Sequence, residues 1–263
     1  MTKFAEILRH WRAIRRMSQL ALAGEAGISA RHLAFLETGR AQPSRRMVLT
    51  LAETLEVPNA DTNRLLQAAG FADHFPAHVL ADDDMAGVRQ AMDWTISRHA
   101  PYPALVMDRL WVITALNAPA ERLFGPMGFG VGTSLLAVLD GPVAPADFIE
   151  NWGEVAHHTM MRLRMESARA GGIAELDRAA ERLTNDPAVK ALKTQPKDSA
   201  VLSTIYRAGP LRLALFSIYA GFGSAQEVAL SEMKIELMFP ADTATENLLI
   251  NLGKTTGKMA SNG

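Results

Sequence analysis

Apolar residues recur at helical spacing from the start of the chain. Phe4, Ile7, Leu8, Trp11 and Ile14 form one stripe, and Arg9, Arg12, Arg15 and Arg16 occupy the other face. Residues 17–44, MSQLALAGEAGISARHLAFLETGRAQPS, are too apolar for a loop, yet they are interrupted at Gly27 and Gly39. They predict two short helices joined by a tight turn. Ala23 and Ala26 keep the first helix thin where the second crosses it. Gly27 supplies a left-handed residue, Ile28 plugs the corner, and Ser29 caps the second helix. Leu33 and Leu36 then face the core, which leaves Ala30, Arg31, His32 and Phe35 facing out. A fourth helix is expected over 44–55 with Ser44 as its cap, and a fifth over 62–69 closed by Gly70.

The helical period stops over 71–84, FADHFPAHVLADDD, and the pattern beyond it is mixed. Residues 85–99 read as a helix. ALVMD and WVITALN read as a hairpin around Asp108 and Arg109, and 118–124 as a short helix. Residues 148–170 predict a long amphipathic helix with Phe148, Trp152, Ala156, Thr159, Leu163 and Ala170 on one stripe. Another helix covers 176–183. VLSTIYR and LRLALFSIYA read as strands joined at Ala208-Gly209-Pro210. In EMKIELMF, Met233, Ile235, Leu237 and Phe239 alternate with Glu232, Lys234, Glu236 and Met238, which predicts one buried face and one mostly wet face. The fold expected is α+β and multidomain: an all-α domain of five helices over 1–73, a linker over 74–84, an α+β domain with an antiparallel sheet over 85–250, and a flexible tail over 251–263. Helices packed on one face of such a sheet can enclose a cavity.

Charge changes this picture in one place. The net charge of the chain is −1, but 1–73 carry +3 and the remainder −4. From Arg9 to Arg46 there are eight arginines and two acids, which points to a nucleic-acid-facing module. The chain has no cysteine, which excludes disulfides, zinc fingers and a thiol nucleophile. The N-terminus lacks the apolar core of a signal peptide, and no window of about 18 apolar residues would span a membrane. The cytoplasm, at the nucleoid, is the expected compartment.

Two short helices crossing steeply form a helix-turn-helix, whose second helix fits a major groove. Arg31 can fork onto a guanine, and Phe35 or Ala30 can touch a thymine methyl. Gln19 and Ser44 stand at helix starts, where free N–H groups meet phosphate, and Arg40, Arg45 and Arg46 add charge there. The pattern SQ-x-x-LA-x-x-AGIS-x-x-x-L-x-x-LE-x-GR-x-x-PS resembles the Xre and phage-repressor family of helix-turn-helix domains. That resemblance implies DNA contacts from Gln19 and from the face spanning Ser29, Ala30, Arg31, His32 and Phe35. It also implies an internal pair between Arg12 and Glu37.

HAPYPALVMDRLWVITALNAPAERLFG, IENWGEVAHHTMMRLR and FGSAQEVALSEMKIELMFPADTAT resemble the ligand-binding domain of MmyB-like transcriptional regulators. The resemblance implies a PAS-like fold and a small apolar ligand, with fatty-acid-like molecules the usual suggestion. ITALNAPAERLFG alone is similar to the strand–Asn–helix passage of PAS domains. Trp152, Met160, Phe216 and Met107 are the candidate pocket residues, being large or adaptable. Met161, on the opposite helix face, is assigned to a partner surface. GPMGFGVG, over 125–132, reads as a flexible loop and a candidate lid. His157 and His158 point about 100° apart on a helix and make poor joint ligands. Asp82, Asp83 and Asp84 lack the spacing of a calcium loop. No catalytic signature, metal site or cofactor motif is found.

The function expected is a DNA-binding transcriptional regulator whose second domain senses a small apolar ligand. Its expected partners are double-stranded operator DNA and a second copy of the chain. The alternative is a regulator whose second domain only dimerises or recruits a protein such as RNA polymerase. An enzyme is the remaining rival, and no paired acid and base supports it.

Overall fold

The computed structural model describes residues 2–78, 82–141, 143–192, 201–222 and 227–260. The chain forms two compact units. The first takes residues 1–79, 166–173 and 223–231; the second takes 80–165, 174–222 and 232–263. The sequence reading had drawn its domains as continuous stretches.

In the first unit, α1 (Lys3–Ile14), α2 (Gln19–Glu25), α3 (Ala30–Thr38), α4 (Arg45–Thr54) and α5 (Asn59–Ala68) surround one apolar core. Thr2, Ser18, Ser29 and Ser44 each cap the helix that follows by accepting a backbone N–H. Gly27, Gly39 and Gly70 take positive φ at the turns. Phe4, Leu8, Trp11, Leu22, Leu33, Leu36 and Leu51 are buried, as the helical stripes require. Helix α5 begins at Asn59, ahead of the expected residue 62. Pro58 sets the entry and its carbonyl accepts from Thr62 N at 2.8 Å.

The stretch assigned to a linker is bonded into this unit through residue 78. Asn63, buried in α5, donates from Nδ2 to Phe75 O and accepts at Oδ1 from His74 N and Phe75 N. His78 N donates to Glu227 Oε1 at 2.8 Å, next to α12 (Val228–Ser231). Residues 79–81 of the expected linker lie outside the described residues. The segment 166–173 packs against α1 at Gly171, where φ is 82° and a Cβ would stand 2.5 Å from the Trp11 ring. Only glycine satisfies both conditions.

The second unit holds a five-stranded sheet in the order β2-β1-β5-β4-β3, with every neighbour antiparallel. A 3-10 turn at Asp83–Met85 leads into α6 (Ala86–Arg98). Strands β1 (Ala104–Met107) and β2 (Ile113–Leu116) form the expected hairpin, tied by Asp108 Oδ1 accepting from Leu110 N and Val112 N. Asn117 is the buried joint behind α7 (Ala118–Phe124). Its Oδ1 accepts from Ala104 N and Ala120 N, and its Nδ2 donates to Ile96 O and Tyr102 O. One amide thereby fixes a strand, a helix cap and the chain end of α6.

The long helix starts later than its stripe predicts. Phe148 ends a separate short helix, α8 (Pro145–Phe148), and α9 runs Trp152–Arg169. Between them, Ile149 bridges Tyr206, and Asn151 exchanges hydrogen bonds with Ser203 O and Ile205 N, so this stretch follows the sheet edge. Helices α10 (Ala174–Asn185) and α11 (Pro187–Lys190) follow. Strands β3 (Thr204–Ala208), β4 (Leu211–Ala220) and β5 (Lys234–Pro240) complete the sheet, and α13 spans Thr243–Ala260. The last helix runs on past Asn251, where the sequence had suggested a flexible tail; residues 261–263 lie outside the described residues.

Strand β5 corrects a second expectation. Glu236 and Met238 were placed on the wet face, yet they are 7% and 4% exposed. Leu237 and Phe239, placed on the buried face, are only half-buried. The strand is central, so both of its faces are covered, and alternation of polar and apolar residues does not report which face is wet.

Candidate functional site

The outer face of α3 is built on a buried carboxylate. Glu37 is 1% exposed. It accepts from Arg12 Nε at 2.6 Å, Arg12 Nη2 at 3.0 Å and Gln19 Nε2 at 2.6 Å. Arg12 also donates from Nη1 to Met17 O at 2.9 Å. The Glu37 hydrogen bonds hold the Arg12 guanidinium protonated beyond its ordinary range. This cluster locks α1, α2 and α3 together and sets the tilt of α3. Gln19 is exposed, but its amide N–H is already turned to Glu37.

Arg31 is exposed and lies over the Phe35 ring at 5.4 Å, with His32 half-buried beside them. These three residues form part of the available surface of α3. Ala30, expected to face out, packs against the core. The Ser29 and Ser44 hydroxyls are engaged in capping, which leaves their helix-start N–H groups as the groups able to meet a phosphate. Arg40 and Arg46 are exposed. Arg45 was expected at phosphate, but it donates to Ala72 O at 2.6 Å and Asp73 O at 3.3 Å, anchoring the segment after α5. Arg15, part of the basic bias of α1, likewise donates to Leu55 O, Glu56 O, Ala168 O and Arg169 O. A count of arginines therefore overstates the charge free to meet DNA.

The second unit contains a cavity of about 170 Å³ between the sheet and α9. Leu105, Tyr206, Glu236 and Met238 come from the sheet; Trp152, Val155 and Thr159 come from α9. Met127 and Phe129, on the glycine-rich loop read as a lid, close another side. An adjoining apolar cleft of about 520 Å³ is lined by Leu123, Leu213, Leu248 and Leu249, and it shares Met127, Phe148 and Tyr206 with the first. Those three side chains are the partition between the two spaces.

Of the pocket residues expected, Trp152 stands in the wall, with Nε1 donating to Asp186 Oδ2 at 3.0 Å. The other three do not line either space. Met160 is buried and its sulfur accepts from the Thr184 hydroxyl at 3.2 Å. Met107 is fully buried at a strand end. Phe216 stacks on Phe239, whose place in β5 alternates with the cavity-facing Glu236 and Met238. Large apolar residues mark a core as readily as a pocket, so composition did not separate them.

The polar group of the cavity was missed. Glu236 Oε1 accepts from Ser217 Oγ at 2.6 Å and Tyr219 OH at 2.8 Å. The Arg162 guanidinium lies 3.3 Å from the Tyr219 ring centre and 4.7 Å from that of Trp111. Burial, reinforced by the Glu236 charge, pushes the Tyr206 hydroxyl above the ordinary phenol range. The available signal was one glutamate set between Ile235 and the apolar run Leu237, Met238 and Phe239. Elsewhere on α9, burial and the charges of Arg162 and His157 lower the pKa of His158. Among the described residues, no group of three or more His, Cys, Asp or Glu is placed to hold a metal, and no helix is long and apolar enough to cross a membrane.

Residues 3–65 match a family described as helix-turn-helix domain. Residues 88–252 match the MmyB-like transcription regulator ligand binding domain, over more than half of the chain. The chain belongs to the MmyB-like transcription regulators. Both spaces described above fall within the MmyB-like segment, and the α3 surface falls within the helix-turn-helix segment. The families matched by this MmyB-like chain are those of regulators, not of enzymes. No curated relative matches it.

Proposed function

We propose that the protein binds operator DNA through α3 and that a small apolar molecule in the cavity changes that affinity. The observation that carries the reading is the course of α9. Trp152, Val155 and Thr159 of this helix form cavity wall, while Ala168 and Arg169 near its C-terminal end accept from Arg15, behind the Glu37 cluster that sets α3. A ligand shifts DNA affinity only by its differential affinity for two states of the protein, and one continuous helix gives the two sites a shared element to bias. On this reading the first domain is Xre-type, the second is PAS-like, and the protein works in the cytoplasm as a homodimer on paired half-sites. The sheet order and the Asn117 joint support the PAS-like assignment.

The test is operator affinity of the full chain, with and without an apolar ligand recovered from the purified protein by solvent extraction. A shift of about 5-fold or more, the usual scale of coupling, supports sensing. A recovered ligand that leaves operator affinity unchanged would favour a domain that only dimerises or recruits RNA polymerase.

A further inference from the structure

The cavity and the cleft are unequal, and the step between them sets how long a ligand can be. At about 170 Å³ the cavity is close to the size, about 150 Å³, that holds a benzene-sized molecule of about six carbons. The cleft, at about 520 Å³, is of ordinary ligand size, but Leu211 and Leu252 in its wall are 49% and 47% exposed. A chain lying in the cleft alone would keep one side in water, whereas Leu105, Trp152 and Met238 of the cavity are buried. The three side chains that part the two spaces are not equally fixed. Tyr206 pairs with Leu213 in the sheet, bridges Ile149, and has its ring centre 5.9 Å from that of Phe124. Phe148 ends α8, next to that bridge. Met127 is 37% exposed, directly precedes Gly128 at φ 84°, and carries an unbranched, rotatable side chain. Moving that one side chain opens a passage a single chain wide.

We infer that the ligand is an unbranched hydrocarbon chain, longer than about six carbons, that passes from the cleft into the cavity, and that Met127 is the gate that determines the chain length accepted. The inference rests on the sensor reading above. The chain end lies against Trp152, its middle crosses between Tyr206 and Phe148 with Met127 swung aside, and the remainder lies along Leu213 and Leu249.

The test is calorimetric titration of the full chain with hexanoate, decanoate and tetradecanoate, which share a head and differ in length. Each buried CH₂ strengthens binding about fourfold, so decanoate should exceed hexanoate by more than about a hundredfold, and tetradecanoate should exceed decanoate. Met127→Phe sets a stiff ring at the partition and should cut the advantage of tetradecanoate over hexanoate at least about tenfold. Met127→Leu, a swap of similar volume, should keep most of that advantage. Val155→Phe, which fills the cavity and not the cleft, should weaken all three. Should Met127→Phe not fold, the length series and Val155→Phe decide the matter. Affinity that levels off at hexanoate confines the ligand to the cavity and overturns the gate. Long-chain affinity untouched by Val155→Phe confines it to the cleft and overturns the gate as well. An operator affinity that still shifts in either case leaves the sensor reading standing. Binding of none of the three, with operator affinity unmoved by any of them, overturns both.

Discussion

In helices α2 to α4, the groups that shape the helix ends are close neighbours in sequence. Ser29 caps α3 through His32, and Ser44 caps α4 through Met47, each three residues on. In the sheet unit they are far apart. Trp152 is held by Asp186, Leu105 pairs with Glu236, and Asn151 fixes Ser203 and Ile205. Helices α1 to α4 owe their shape to local chemistry plus one buried ion pair; the sheet owes its shape to register between distant strands. Removing a single group should therefore act differently in the two.

The largest effect is expected at the buried ion pair of the first unit. Glu37→Ala leaves the Arg12 guanidinium partly buried without its carboxylate and releases Gln19. Breaking such a pair costs about 3–5 kcal/mol. Arg12 is one-fifth exposed, so the lower end applies. Denaturant unfolding should show this loss. A loss below about 1 kcal/mol would mean that the apolar core alone orients α3.

Next is a contrast on the DNA side. Arg31→Ala should relax preference at one base pair of the operator, at a cost of about 1–3 kcal/mol there. Arg45→Ala should instead loosen the segment after α5 and leave the salt slope of DNA binding nearly unchanged, because its donors serve Ala72 and Asp73. Selection of binding sites, with affinities measured across salt concentrations, checks both. An altered salt slope for Arg45→Ala would show that it leaves those carbonyls to meet phosphate.

The same contrast explains what the sequence made legible. Helix caps, turn glycines and the stripes of α1 to α4 were readable because each depends on spacing within a few residues. The Arg12–Glu37 pair was reached through the family pattern rather than through spacing. In the sheet unit the order of elements was readable, but the facing of β5 was not. Glu236 looks solvent-exposed until its pairing with Leu105 and Tyr219 is known. Trp152 was found because a helical stripe identified it. Phe216 and Met107 have the same composition as pocket residues, and only strand register removes them.

A smaller effect is expected at Trp152. Trp152→Phe keeps most of the apolar wall but drops the hydrogen bond to Asp186, a loss of about 1 kcal/mol. Asp186 keeps its other role, capping α11 through Ala188 N. Retention of an apolar ligand should fall more than stability, read as melting temperature and bound ligand on the same sample. Stability loss with full ligand retention would make Trp152 a support for Asp186 rather than a wall of the site.

The smallest effect is electrostatic, and it lies at the surface of the sheet unit. Hydrogen bonding from Arg207, with Arg212 nearby, holds the Glu150 carboxyl below its ordinary range. Hydrogen bonding from the Thr245 backbone N–H at 2.7 Å, then from the Thr245 hydroxyl, with Arg212 again nearby, does the same for Asp242 at the start of α13. A carboxyl whose folded pKa lies below its unfolded value, about 4, stabilises the fold above that value and loses the contribution as pH falls through it. Acidification from pH 5 to pH 3 should therefore weaken protection of amides in β4 and α13. The Glu150→Gln, Asp242→Asn double variant should show a shallower dependence over that window. Both carboxyls are solvent-exposed, so raising salt should shrink the difference between variant and parent. Identical slopes at low salt would place the acid sensitivity of β4 and α13 elsewhere. A slope difference that persists at high salt would mean that the Thr245 cap, rather than the arginines, carries the effect.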